Sequence, residues 1–97
     1  MGQEEAGGGP FRFSDRFVSR EERFSIGVEI RTGRHYVSIP VSNQRVDYEE
    51  YYEIDVGMFE LFLADSVKTL NFVERCRRRE EDARLFYQPS HDRGTPL

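Results

Sequence analysis

The chain has one cysteine, Cys76, in 97 residues. That excludes an internal disulfide framework and any zinc cluster built on cysteines. No apolar run approaches the roughly 20 residues that a membrane-spanning helix needs. Residues 1–6 carry neither a basic nor an apolar leader segment, so no signal peptide is expected. Position 6 is Ala, where a myristoylation signal would want Ser or Thr. The default expectation is therefore a cytoplasmic protein without a membrane role. Positive charge is also scarce, with a net charge of -4 and a pI near 5.2. A dedicated DNA-binding domain needs clustered positive charge to neutralise phosphates, and this balance argues against one. No phosphate loop, glycine-rich cradle or nucleophile constellation is present. No catalytic residue, cofactor or metal site is assigned, and an enzyme is the less favoured class.

What the chain does have is alternation. Phe24, Ile26, Val28 and Ile30 alternate with Ser25, Gly27, Glu29 and Arg31. His35, Val37, Ile39 and Val41 alternate with Tyr36, Ser38 and Pro40. A third run sets Val46, Tyr48, Tyr52 and Ile54 against Asp47, Glu49, Tyr51 and Glu53. A period of two places each apolar set on one face of a sheet. Parity then restricts the register, because residues directly opposite share a face. A two-residue turn at Thr32-Gly33 would pair Val28 with Val37. A four-residue loop at 32–35 would pair Val28 with Ile39. A loop at 42–45 would pair Val41 with Val46, Ile39 with Tyr48, Val37 with Glu50 and His35 with Tyr52. Two residues resist the pattern. Pro40 cannot donate to a ladder, so pairing with one neighbouring strand should stop near it or a bulge should sit there. Glu50 falls on the apolar face, and a bulge turning it outward is the favoured reading, because an unpartnered buried Glu is rare.

The expected fold class is α+β. Its sheet is a three-stranded antiparallel meander, or four-stranded if residues 11–18 join as an edge strand, with two C-terminal helices packed on one face. Asp55 should cap the first helix, whose residues are apolar on most sides, and Asp65-Ser66 should break and recap the chain. The second helix should run from Val67 to about Ala83, with Val67, Leu70, Val73 and Cys76 forming its apolar stripe. Residues 1–10 and 89–97 are read as disordered or flexible tails around a single domain at 11–88.

The most distinctive run is Asp47-Tyr48-Glu49-Glu50-Tyr51-Tyr52-Glu53-Ile54-Asp55, with five carboxylates and no basic residue. Tyrosine offers apolar area with a polar tip and suits interfaces. A partner-binding face is therefore expected at Tyr36, Asp47, Glu49, Tyr51 and Glu53, competing with the simpler reading of a solvated sheet face. The leading function is a small soluble, non-catalytic interaction module for a basic protein, an acidic inhibitor or immunity-type protein being one form, and a homodimer is expected. The alternative is a ligand-binding domain or enzyme with a pocket at His35, Glu50 and Tyr52, where His beside a carboxylate could act as an acid-base pair. A weaker alternative is a nucleic-acid-associated regulator using Arg75, Arg77, Arg78 and Arg79. Those arginines are undercut by Glu74, Glu80, Glu81 and Asp82, and a salt-bridged helix end explains them as well. Cys76 continues an apolar stripe, which favours a buried, inert thiol over a reactive one.

Overall fold

A computed structural model describes residues 10–97. The tail expected at residues 1–10 lies, but for Pro10, outside the described residues. The fold is α+β. Four strands run as an antiparallel meander: β1 (Phe13–Ser19), β2 (Phe24–Glu29), β3 (His35–Ser42) and β4 (Asp47–Ile54). Two helices follow, α1 (Val56–Ala64) and α2 (Ser66–Arg77), and a short strand β5 (Thr95–Pro96) pairs with β3. Among the described residues, no helix is long and apolar enough to cross a membrane.

One sheet face and the helices enclose the core. Phe24, Ile26, Val37, Ile39, Val41, Tyr52 and Ile54 meet Phe62, Phe72, Val73, Cys76 and Leu85. Both hairpins keep the expected parity. The first sits two residues from the register of the two-residue turn and four from that of the four-residue loop, and the second sits two residues from its expected register. Ile26 opposes Val37 and Val28 opposes His35; Ile39 opposes Glu50 and Val37 opposes Tyr52. The loops decide this. In the first, β2 stops at Glu29, whose N–H donates to the Arg34 carbonyl at 2.7 Å while its own carbonyl accepts from Gly33 at 2.8 Å. Gly33 has φ 78°, the left-handed region open to glycine. In the second, the Asn43 side chain accepts from the Arg45 and Val46 amides at 3.0 and 3.1 Å, an Asx turn. Ile30 and Val46, expected in the core, therefore lie in loops and are more than half exposed, at 59% and 56%.

Pro40 is accommodated by alternation. It opposes Glu49 on β4, and the Tyr51 carbonyl, two residues along, points away from β3 to accept from the Phe86 N–H at 2.9 Å. Pro40 and Glu49 thus form a pair whose backbone groups face away from each other. The missing N–H faces the side where β2 pairing has already ended at Ser38. On that side the Pro40 carbonyl accepts from the Leu97 N–H at 3.1 Å. Residues 89–97, expected to be a flexible tail, thus return to the sheet and add β5 beside Val41 and Ser42.

Strand β1 is the fourth strand, and a bulge makes it serve both faces. The register shifts between Asp15 and Phe17, leaving Arg16 as the extra residue. Phe13 and Asp15 pair with Glu29 and Gly27 on the outer face, whereas Phe17 pairs with Ile26 on the helix side.

Aspartates punctuate the helices as expected. The Asp55 carboxylate accepts from the Met58 N–H at 2.8 Å. Asp65 closes α1, donating its N–H to the Leu61 carbonyl at 2.8 Å. Its side chain opens α2, accepting from the Val67 and Lys68 amides at 3.1 and 3.2 Å. Helix α2 stops at Arg77 rather than near Ala83. The Glu80 N–H reaches the Arg75 carbonyl at 2.9 Å and the Arg79 N–H reaches Cys76 at 3.0 Å. These two bonds make a Schellman motif, with Arg79 at φ 63° in the seat that glycine usually takes. The break turns the chain back, through a 3-10 turn at Asp82–Arg84, so that Leu85 enters the core.

Glu29 ties the first hairpin to β1. Its carboxylate accepts from the Arg12 and Arg31 amides at 2.6 and 3.1 Å, and from the Thr32 amide and hydroxyl at 2.9 and 2.6 Å. Burial under its own loop raises the carboxyl pKa, but these donors outweigh that and hold it at about 2. A depressed folded pKa stabilises the fold above the ordinary value of 4.5 and loses that contribution as pH falls through about 2. The stability advantage of wild type over Glu29→Gln should shrink by about 3 kcal/mol as pH falls from about 5 to 2. Urea unfolding of both proteins across that range measures it, and a constant difference would contradict the assignment.

Candidate functional site

The outer face of the sheet is an aromatic layer. Phe13 of β1 stacks on Tyr51 of β4 with ring centroids 3.6 Å apart and planes 10° apart. In a flat sheet, strands three apart would be separated by roughly 14 Å, so this contact requires a strongly curled sheet. Tyr36 meets both rings edge-on, at 5.2 and 5.1 Å. Phe86 joins edge-on to Phe13 and Phe11, and the Arg34 guanidinium lies 4.1 Å over its ring. The small residue Gly27 makes room. A Cβ there would come within 2.4 Å of the Tyr36 hydroxyl and 2.3 Å of the Ser14 carbonyl.

The residues expected to form one partner-binding face therefore divide. Tyr36 has no accessible surface. Its hydroxyl donates to Asp15 at 2.5 Å, and burial, followed by that bond and the Asp15 charge, raises its pKa far above the usual phenol range. Glu53 is paired with Arg34 at 2.9 Å. Tyr51 is half-buried and its pKa is pushed up to about 12 by burial and by the charges of Glu49 and Asp15. Asp47 and Glu49 stay exposed. The Glu49 carboxyl is raised above its ordinary value by partial desolvation and by Asp15, against the Ser38 hydrogen bond that lowers it.

A groove runs along β4, the edge strand, on the side of Asp47, Glu49 and Tyr51. Its volume is about 520 Å³. Tyr48, Tyr51, Phe13 and Tyr87 supply aromatic walls; Glu49, Glu50 and Asp92 supply carboxylates; no Lys or Arg lines it. Segment 85–92 builds the far wall. Leu85 bridges to Tyr52 and points into the core, while Phe86 bonds to Tyr51 and joins the outer layer.

Glu50 points inward, with no bulge in β4. Its partner comes from the returning C-terminal segment. The Arg93 guanidinium donates to both Glu50 oxygens at 2.7 and 2.9 Å, and to both Asp82 oxygens at 2.7 and 3.0 Å. Tyr52 donates its hydroxyl to Glu50 at 2.8 Å. These hydrogen bonds to two carboxylates raise the Arg93 pKa well above its usual range. Next to it, the Gly94 N–H donates to the Tyr48 hydroxyl at 2.7 Å. A Cβ on Gly94 would lie 2.5 Å from the Ser42 backbone. The pocket expected from His35, Glu50 and Tyr52 thus brings together two of its three residues, and Arg93 occupies the carboxylate. His35 lies opposite Ile54, its ring 4.4 Å from that of Phe59.

Elsewhere, burial pushes the Cys76 thiol well above its ordinary range, helped by Glu81 and opposed by Arg75 and Arg84. Such a thiol is a packing residue rather than a nucleophile. The arginine run is paired: Arg75 with Glu81, Arg77 with Glu74 and Arg78 with Glu80, and Arg79 donates to the Gly94 carbonyl at 3.1 Å. These pairs replace the i, i+4 set that a longer helix would have made. Among known proteins, no family model, no curated protein and no solved structure matches the chain.

Sequence reasoning missed Phe13, Tyr87 and Asp92 as parts of the groove, and Arg93 as the partner of Glu50. No local pattern marks these residues, since they reach the site from the two ends of the described chain. The one available signal was Glu50 itself, because a carboxylate on an apolar face implies a buried cation. Arg93→Met should lower unfolding free energy by about 3–5 kcal/mol by leaving Glu50 unpaired. The double variant Glu50→Met with Arg93→Met should recover most of that loss in urea unfolding. Equal losses in single and double variants would show that the ion pair is not what anchors the segment.

Proposed function

We propose that the protein is a small soluble, cytoplasmic, non-catalytic interaction module whose β4-edge groove receives a basic partner. The observation that carries this reading is the groove's chemistry. Aromatic walls and the accessible carboxylates of Glu49 and Asp92 lie together, with no basic side chain in the lining. The pairing of Glu50 with Arg93 leaves Glu49 and Asp92, with Asp47 close by, as the charges offered to a partner. Complementary potential speeds encounter and rejects wrong partners. An acidic inhibitor or immunity-type protein that masks a basic site is one form this module takes.

The centre of the binding surface moves accordingly, from the face around Tyr36 to the edge at Asp47, Glu49 and Tyr51. Charge reversal at Glu49→Lys with Asp92→Lys should abolish binding of a fluorescent octalysine peptide at physiological salt. The control Glu21→Lys with Glu60→Lys changes net charge equally at two exposed positions away from the groove. It should bind nearly as well as wild type. Equal weakening in both would reduce the effect to net charge.

Self-association is the second part of the proposal. Phe17 and Val18 on β1 and Leu61 and Leu63 on α1 are 41–51% exposed. Phe17 and Leu63 border an apolar cleft of about 250 Å³ that also takes in Phe24, Phe62 and Leu70. Light scattering should give a dimer mass that persists on dilution, and Leu63→Glu should give a monomer. A wild-type monomer at high concentration would remove this part and leave the groove reading intact.

A further inference from the structure

Strand β4 lies at the end of the sheet order, so one of its sides faces no neighbouring strand of the meander. Its backbone groups alternate between β3 and that open side. The Tyr51 carbonyl points outward and accepts from the Phe86 N–H at 2.9 Å. The Glu53 carbonyl also points outward and accepts from the Arg84 guanidinium at 3.2 Å. The same alternation directs the N–H and C=O of Asp47 and Glu49 outward. Segment 85–86 covers the edge only beside Tyr51 and Tyr52. Beyond it comes Pro89, which has no N–H to offer, and the chain swings toward Asp92, whose carbonyl accepts from the Asn43 side chain at 3.4 Å. Among the described residues, no strand lies on the outer side of Asp47 and Glu49, and the groove is lined by Glu49 there.

We propose that this part of the β4 edge takes an extended basic peptide as an added strand. The peptide's main chain bonds to the outward groups of Asp47 and Glu49, continuing the line that Leu85 and Phe86 begin. Its Lys or Arg side chains lie on the outer face beside Glu49 and Tyr51, with Asp92 in the same groove, and its alternate side chains fall on the opposite face beside Tyr48. Main-chain bonds supply affinity and flanking pockets supply selectivity in this mode of recognition. The inference deepens the groove reading above and rests on it.

Charge selects the occupant. A second copy pairing β4 to β4 would place the Asp47 and Glu49 carboxylates of each copy along the same edge, and like charges directly opposed are destabilising. Charged residues on an edge strand are a device against such self-pairing. A basic strand turns the same carboxylates into attraction.

The test uses the full-length protein, labelled with 15N, and two eight-residue peptides of alternating Lys and Thr. One peptide is unmodified; the other is methylated on alternate backbone nitrogens. The unmodified peptide should shift the Asp47 and Glu49 amide resonances and slow their hydrogen exchange about tenfold or more at saturation. The methylated peptide should bind on the order of tenfold more weakly. Glu49→Gln should weaken the unmodified peptide about two- to fivefold. Equal affinity for both peptides, with unchanged amide exchange, would overturn strand addition while leaving the acidic groove as a side-chain site. Failure of both peptides to perturb the groove would overturn both readings.

Discussion

One guanidinium, that of Arg93, holds the C-terminal part of the fold. It lies between the carboxylates of Glu50 on β4 and Asp82 in the turn after α2, with four donor contacts between 2.7 and 3.0 Å. Glu50 sits on the core face and would be costly there alone, since an unpaired buried charge loses its water without compensation. Arg93 in turn fixes Gly94 against Tyr48 and the Ser42 backbone, which aligns β5 with β3. With Arg93 at one end and the Leu85-Phe86 bridge at the other, the intervening residues are held away from the β4 edge. The groove is the space between these two anchors.

The sheet is covered differently on its two faces. Helices cover one with aliphatic and aromatic side chains. The other is covered by aromatic residues from β1, β3, β4 and residues 86–87, with Arg34 on top. A face built of Ser25, Gly27, Glu29, Tyr36 and Ser38 looks like a solvated surface by polarity alone. It is nevertheless buried at all five positions. Small residues let rings lie flat across the sheet, and the Glu29 and Tyr36 polar groups are satisfied locally. The exposed carboxylates of this region, Asp47 and Glu49, lie instead at the edge.

Local chemistry made much of the fold legible. Alternation located β2, β3 and β4, and their parity gave the right faces. Asp55 and Asp65 marked the helix starts because their carboxylates satisfy amides only a few residues away. The apolar stripe of α2 correctly predicted a buried Cys76. The acidic, tyrosine-rich run was visible as a distinctive stretch, and Asp47, Glu49 and Tyr51 from it line or flank the groove.

Other features required the assembled chain. Parity limits a register to steps of two, and choosing among those steps fell to the Glu29 and Asn43 side chains, which trade the strand positions of Ile30 and Val46 for loop hydrogen bonds. The end of α2 was hidden because Arg79, not glycine, takes the left-handed seat. The direction of Glu50 depended on Arg93, 43 residues away. The sequence by itself determined which residues alternate, where helices begin and how the charge is distributed, because those properties act over a few residues. Only the tertiary structure decided which polar groups are buried and which edge stays open, because each of those outcomes depends on a partner brought from a distant part of the chain.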